Sequence, residues 1–153
     1  MNPRSFGIQK VLLTLIAAMS CVIFETSWCL AEGQAKDRIF SAVVTDSEGI
    51  ESEIKNVLFY WEEKVSETAF VPHELRDVPV KKGAATIKVR FDQIKQIDIK
   101  PAQDSGTPPT LVISLASGKT GEFSLAINGS FKGLSDFGET EFPATGLRRI
   151  VFK

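Results

Sequence analysis

Apolar residues recur at every second position over much of this chain, and that period confines it to β-structure. Ala85, Ile87, Val89 and Phe91 alternate with Thr86, Lys88, Arg90 and Asp92, which puts one set on a buried face and the other in water. Leu111, Ile113 and Leu115 alternate with Val112, Ser114 and Ala116, and Phe123, Leu125 and Ile127 with Ser124, Ala126 and Asn128. Further strands are expected at residues 39–45 and 57–62, rich in the β-branched and aromatic residues that strands favour. No window sustains a 3.6-residue period, although Ile94 and Ile97 suggest one helical turn. Ser117-Gly118-Lys119 reads as a hairpin turn, Asn128-Gly129 as a type I′ turn, and Lys82-Gly83 as a turn before Ala85. The expected fold class is all-β: a small antiparallel sandwich or barrel with short helical turns.

Sliding the chain by 53 residues sets apolar on apolar without a gap. Leu58 meets Leu111, Phe70 meets Phe123, Val78 meets Phe131 and Val89 meets Phe142. The cadence Ile94, Ile97, Ile99 then matches Leu147, Ile150, Phe152. Two related β-units are expected, at residues 54–101 and 107–153, the 39–45 strand joining the first. Pro101–Pro109 separates them, a stretch that continues neither a helix nor a central strand.

Residues 1–31 have the order of a secretion signal. Arg4 and Lys10 precede an apolar run from Val11 to Phe24, and Cys29-Leu30-Ala31 offers a small residue before a cut. The run is shorter than the roughly 20 residues a membrane-spanning helix needs, so cleavage is favoured over a retained N-terminal anchor. Cutting after Ala35 is an alternative, and acylation at Cys21 would instead make a lipoprotein. Both cysteines, Cys21 and Cys29, lie in the signal. Residues 32–153 are therefore expected to form one domain held by its own core rather than by disulfides, exported to a periplasm or the extracellular space. No second apolar run is long enough to span a membrane.

The signal takes two of 18 basic residues and one of 19 acidic ones, leaving the remainder at net −2. That balance, with Lys81-Lys82 and Arg148-Arg149 isolated from one another, argues against a nucleic-acid partner. Gly118-Lys119-Thr120 lacks the upstream glycine of a phosphate loop, since Ile113 stands there. Asp136-Phe137-Gly138 has none of the companions of a kinase magnesium site. His73 is the single histidine and follows Pro72 in what reads as a solvated loop. One histidine and no mature cysteine leave metals and haem without their ordinary ligands, so no metal site and no cofactor is expected. Asp46, Glu48, Glu51 and Glu53 lack calcium-loop spacing and read as an acidic turn.

Aromatic residues carry what functional signal there is. Phe59-Tyr60-Trp61 lies in a strand, so Tyr60 must face away from Phe59 and Trp61. The glycine-rich segment 128–139 adds Phe131 and Phe137 as candidates for a binding edge, against the plainer expectation that both complete the core. Tyr60, Trp61, Phe131 and Phe137 are thus the candidate binding residues, and no catalytic residue is assigned. The expected function is a non-enzymatic binding or assembly module with an envelope protein or glycan as partner. The alternative is a small envelope-polymer hydrolase using carboxylates such as Glu62, Glu67 or Asp136.

Overall fold

The computed structural model describes residues 39–102 and 107–153. The expected secretion signal, both cysteines and the two alternative expected cleavage points lie outside the described residues. Eleven strands occupy the rest, with two 3-10 turns and no α-helix among the described residues. No described helix is long and apolar enough to cross a membrane.

The strands are β1 (Ser41–Asp46), β2 (Glu51–Lys64), β3 (Phe70–Leu75), β4 (Asp77–Lys82), β5 (Ala85–Arg90) and β6 (Ile94–Lys100). They continue as β7 (Thr110–Leu115), β8 (Thr120–Leu125), β9 (Ser130–Ser135), β10 (Gly138–Pro143) and β11 (Leu147–Phe152). All pair antiparallel in one open sheet of order β10-β9-β2-β1-β11-β6-β7-β8-β4-β5, with β3 attached to β2. The sheet folds over on itself in a sandwich-like manner, because strands near both ends of that path bury side chains in one core. Phe131 of β9 and Phe91, just past β5, lie 6.4 Å apart between ring centroids.

Strand β2 organises the molecule because it is long and bent. Asn56 sits in the left-handed region (φ 54°), and the register with β9 slips between Lys55 and Leu58. Asn tolerates that conformation better than most residues, and the bulge turns the strand. Ile54 and Val57, three positions apart, therefore both point inward, followed by Phe59. The first half of β2 pairs with β1 and the second half with β3. Directly across from Phe59 lies Phe131, edge to face at 5.4 Å, with both rings fully buried. Such pairs add about 0.5–1.5 kcal/mol beyond the area they bury.

The 53-residue spacing reappears in the placement of elements. Register pairs from Asp77–Arg90 to Lys82–Ala85 in β4–β5 have counterparts from Ser130–Pro143 to Ser135–Gly138 in β9–β10, each 53 residues on. A 3-10 turn follows each hairpin, Phe91–Gln93 and Ala144–Gly146, then a strand beginning at Ile94 or Leu147. The hairpins dock differently, β4 on β8 and β9 on β2.

Several local expectations are corrected. The helical turn expected at Ile94–Ile97 is displaced to Phe91–Gln93, and Ile94 opens β6. Ala85 and Ile87 are exposed, since β5 is an end strand and only Val89 and Phe91 of that face reach the core. Asn128-Gly129 is not a hairpin turn: it links β8 to β9, which do not pair with one another, and its glycine has no positive φ. A Cβ at Gly129 would lie 2.5 Å from the Tyr60 carbonyl oxygen and 2.6 Å from the Phe59 ring. Glycine is required there by close approach to β2 rather than by backbone conformation. The acidic run at 46–53 spans the β1–β2 turn and the first residues of β2, so Glu51 and Glu53 are strand residues; in the turn Asp46 Oδ1 accepts from the backbone N–H groups of Glu48 and Ile50, both at 2.9 Å.

Candidate functional site

The pairing of β2 with β9 ends at Tyr60, but β2 runs on to Lys64 and returns as β3. From Trp61 outward the β2–β3 hairpin is consequently a two-stranded arm. It is closed by a turn in which Val65 N–H donates to the Ala69 carbonyl (3.0 Å) and Ala69 N–H to Ser66 Oγ (3.1 Å). Every residue from Glu62 to Pro72 is exposed. Among them are the apolar Val65 (56 %), Phe70 (55 %) and Val71 (41 %). Register puts Trp61, Glu63, Val71 and His73 on one face, and Tyr60, Glu62, Phe70, Pro72 and Glu74 on the other.

On the first face the Trp61 indole stacks on the His73 imidazole, 4.2 Å between centroids at 12°. His73 Nε2 lies 3.1 Å from Glu63 Oε2. His73 is thus a strand residue held on two sides, not the solvated loop histidine expected. Trp61 is half-buried against the core, and its indole N–H is shielded from solvent with no acceptor among the described residues. An unmet buried donor costs about 1–3 kcal/mol.

On the second face Lys132 of β9 lies over the Tyr60 ring, 3.4 Å from its centroid, and pairs with Glu141 at 3.2 Å. The Tyr60 hydroxyl donates to Glu62, and chiefly for that reason its pKa is pushed up to about 12. One face of each aromatic ring is therefore already covered, Tyr60 by Lys132 and Trp61 by His73. Each ring thus has at most one face left for stacking on a sugar.

The remaining candidates separate. Phe131 is fully buried and serves packing, as the plainer expectation held. Phe137, which the same expectation put in the core, is instead completely exposed, because it sits in the β9–β10 turn rather than on a strand face. Leu134 of β9 registers with Lys55, so that turn lies toward the start of β2, whereas Glu62 registers with Pro72 far along it. At about 3.3 Å per residue the seven residues from Lys55 to Glu62 span roughly 20 Å. Asp136 is thereby kept apart from Glu62 and Glu67. Three surface clefts hold at most one carboxylate each: Glu51 beside Arg148 and Arg149, Asp92 beside Lys95, and none in the third. The carboxyls of Glu53 and Asp98 are both held below the ordinary range, the opposite of what a general acid needs. No group of three His, Cys, Asp or Glu able to hold a metal occurs among the described residues.

Sequence reasoning placed Tyr60 and Trp61 in a strand with opposed faces but missed the arm. Its signal was Phe70-Val71 following the polar Ser66-Glu67-Thr68, a short run easily read as loop because Pro72 interrupts it. No family model, no characterised protein and no solved structure matches the chain.

Proposed function

We propose that this chain is an exported, non-enzymatic binding module that docks a protein of the cell envelope through the β2–β3 arm. The carrying observation is the arm itself: a two-stranded hairpin leaving the sheet with Val65, Phe70 and Val71 in solvent. A two-stranded hairpin is marginal alone in water, and apolar side chains on both of its faces fit a structure completed by a partner. Its flanking charges are mostly acidic: Glu62, Glu63, Glu67 and Glu74 against Lys64. The complementary surface is an apolar groove bordered by Lys or Arg. A carbonyl in that groove could accept from Trp61 Nε1 after a small movement of the arm and relieve the cost of its unmet hydrogen bond. A protein fits better than a glycan because the faces of Tyr60 and Trp61 that would stack on sugar are partly taken. Export is supported by the charge, apolar run and small-residue order of residues 1–31.

The test is site-specific photocrosslinking of the full-length protein in its native host, with the probe at position 70 or 71 of the arm. Lys95, exposed on β6, provides a control position. A discrete adduct is expected from the arm positions, lost when Glu62, Glu63 and Glu67 are changed together to Lys. Equal labelling from all three positions, or none from the arm, would refute the reading.

A further inference from the structure

A second feature, separate from the arm, lies where the β4–β5 and β7–β8 hairpins meet. Strands β4 and β8 pair only at Val80–Leu125 and Lys81–Ser124, and beyond that point the hairpins splay. The gap is a cleft of about 310 Å³, at the lower end of the range for small-molecule sites. Its floor is apolar: Ile113 and Val89 are buried, Leu115 and Phe123 half-buried, and Ile87 is 38 % exposed. The Phe123 ring closes over Gly121, where a Cβ would come within 2.6 Å of it. Glycine at 121 thus lets that wall lie flat along the strand.

The rim carries Lys82, Lys88 and Lys119, and no carboxylate lines the cleft. Among the described residues none of these three lysines forms an ion pair, although seven ion pairs form elsewhere among them. Lys82 instead holds its ammonium 5.8 Å from the centre of the Phe123 ring. Three ammonium groups around a low-dielectric floor attract an anion, and their fields reinforce one another at the mouth of the cleft. The floor repels a fully hydrated anion such as phosphate but accepts an apolar body.

We propose that this cleft binds a small amphipathic anion: a carboxylate or sulfonate on an aryl or medium-chain acyl body. The apolar part rests on Ile113, Leu115 and Phe123, and the acid group meets Lys82, Lys88 and Lys119. The size of the cleft limits the ligand to one short chain or one or two rings.

Octanoate is the probe, with octanol as the uncharged control, titrated into protein produced from the full-length sequence and followed by methyl NMR. Saturable shifts are expected on the methyls of Ile87, Ile113 and Leu115 with octanoate and not with octanol. The variant K82Q/K88Q/K119Q alters only exposed side chains, so its spectrum should stay dispersed. Its affinity for octanoate should fall at least about tenfold, since each ammonium–carboxylate ion pair is replaced by a contact from a neutral amide. Shifts confined to other residues, equal binding of octanol, or an unchanged affinity in the triple variant would each overturn the assignment.

Discussion

Gly129→Ala offers the sharpest test of the packing described above. The added methyl would meet the Tyr60 carbonyl oxygen at 2.5 Å and Phe59 ring carbons at 2.6 and 3.0 Å, where ordinary contact begins at 3.4 Å. Relief requires β9 to move from β2 by roughly the 0.9 Å between 2.5 and 3.4 Å. Neither obstacle yields easily, since one is strand backbone and the other a fully buried ring packed on Phe131. Overpacking of a core costs about 1–3 kcal/mol, and the upper figure applies because the Phe59–Phe131 contact must open. A loss of about 3 kcal/mol lowers Tm by roughly 10 °C for a domain of this length. Urea denaturation gives the free energy through the shift in midpoint at constant slope. Gly146→Ala is the control: its φ is not positive, nothing lies within 4 Å, and it should cost at most about 0.5 kcal/mol. Gly129→Asn separates this account from a turn requiring positive φ. Asn is milder than Ala in the left-handed region, but being larger it should be at least as harmful as Ala here. A Gly129→Ala midpoint within about 0.5 kcal/mol of wild type, or an Asn variant clearly milder than the Ala variant, would refute the reasoning.

Three further outcomes follow from the same contacts. Phe59→Ala should cost about 3–5 kcal/mol in chemical denaturation, whereas Phe137→Ala, at a fully exposed turn position, should stay within about 0.5 kcal/mol. Tyr60 is the single tyrosine, so absorbance at high pH follows its phenol directly; ionisation is expected near pH 12 in the wild type and closer to the ordinary value of about 10 in Glu62→Gln. Because that pKa is raised on folding, its contribution to stability is complete below pH 10 and is lost as pH rises toward 12. For Asp98, desolvation pushes the carboxyl up, but hydrogen bonds from Arg149 (2.7 Å) and Gln96 (2.6 Å) and the guanidinium charge prevail and hold it low. A lowered pKa stabilises above the unfolded value near 4 and is lost as pH falls through the folded one. Arg149→Ala should therefore cost at most about 1 kcal/mol at pH 7, given the solvent exposure of the pair. That cost should shrink in denaturation curves below pH 3.

Local sequence determined the β-character of this protein, because a period of two needs only the alternation of side chains along a strand. Thus Leu111, Ile113 and the turn at Gly118, which has φ 87°, could be placed from neighbours alone. The opposed faces of Tyr60 and Trp61 followed in the same way. Tertiary structure decided what each exposed or buried position meant. Ile87 alternates as well as Ile113, yet only Ile113 has strands on both sides, so the same pattern gives a cleft lip in one case and a core in the other. Asn128-Gly129 carries the strongest local turn signal, but its glycine answers to Phe59 and Tyr60 some seventy residues earlier. The bulge at Asn56 shifts the alternation within a single strand and lets β2 serve β1, β3 and β9. Where β2 outruns β9 the arm is formed, and where β4 and β8 part the lysine-rimmed cleft is formed. Both candidate sites arise from strands of unequal length and limited pairing, which depend on how distant segments meet.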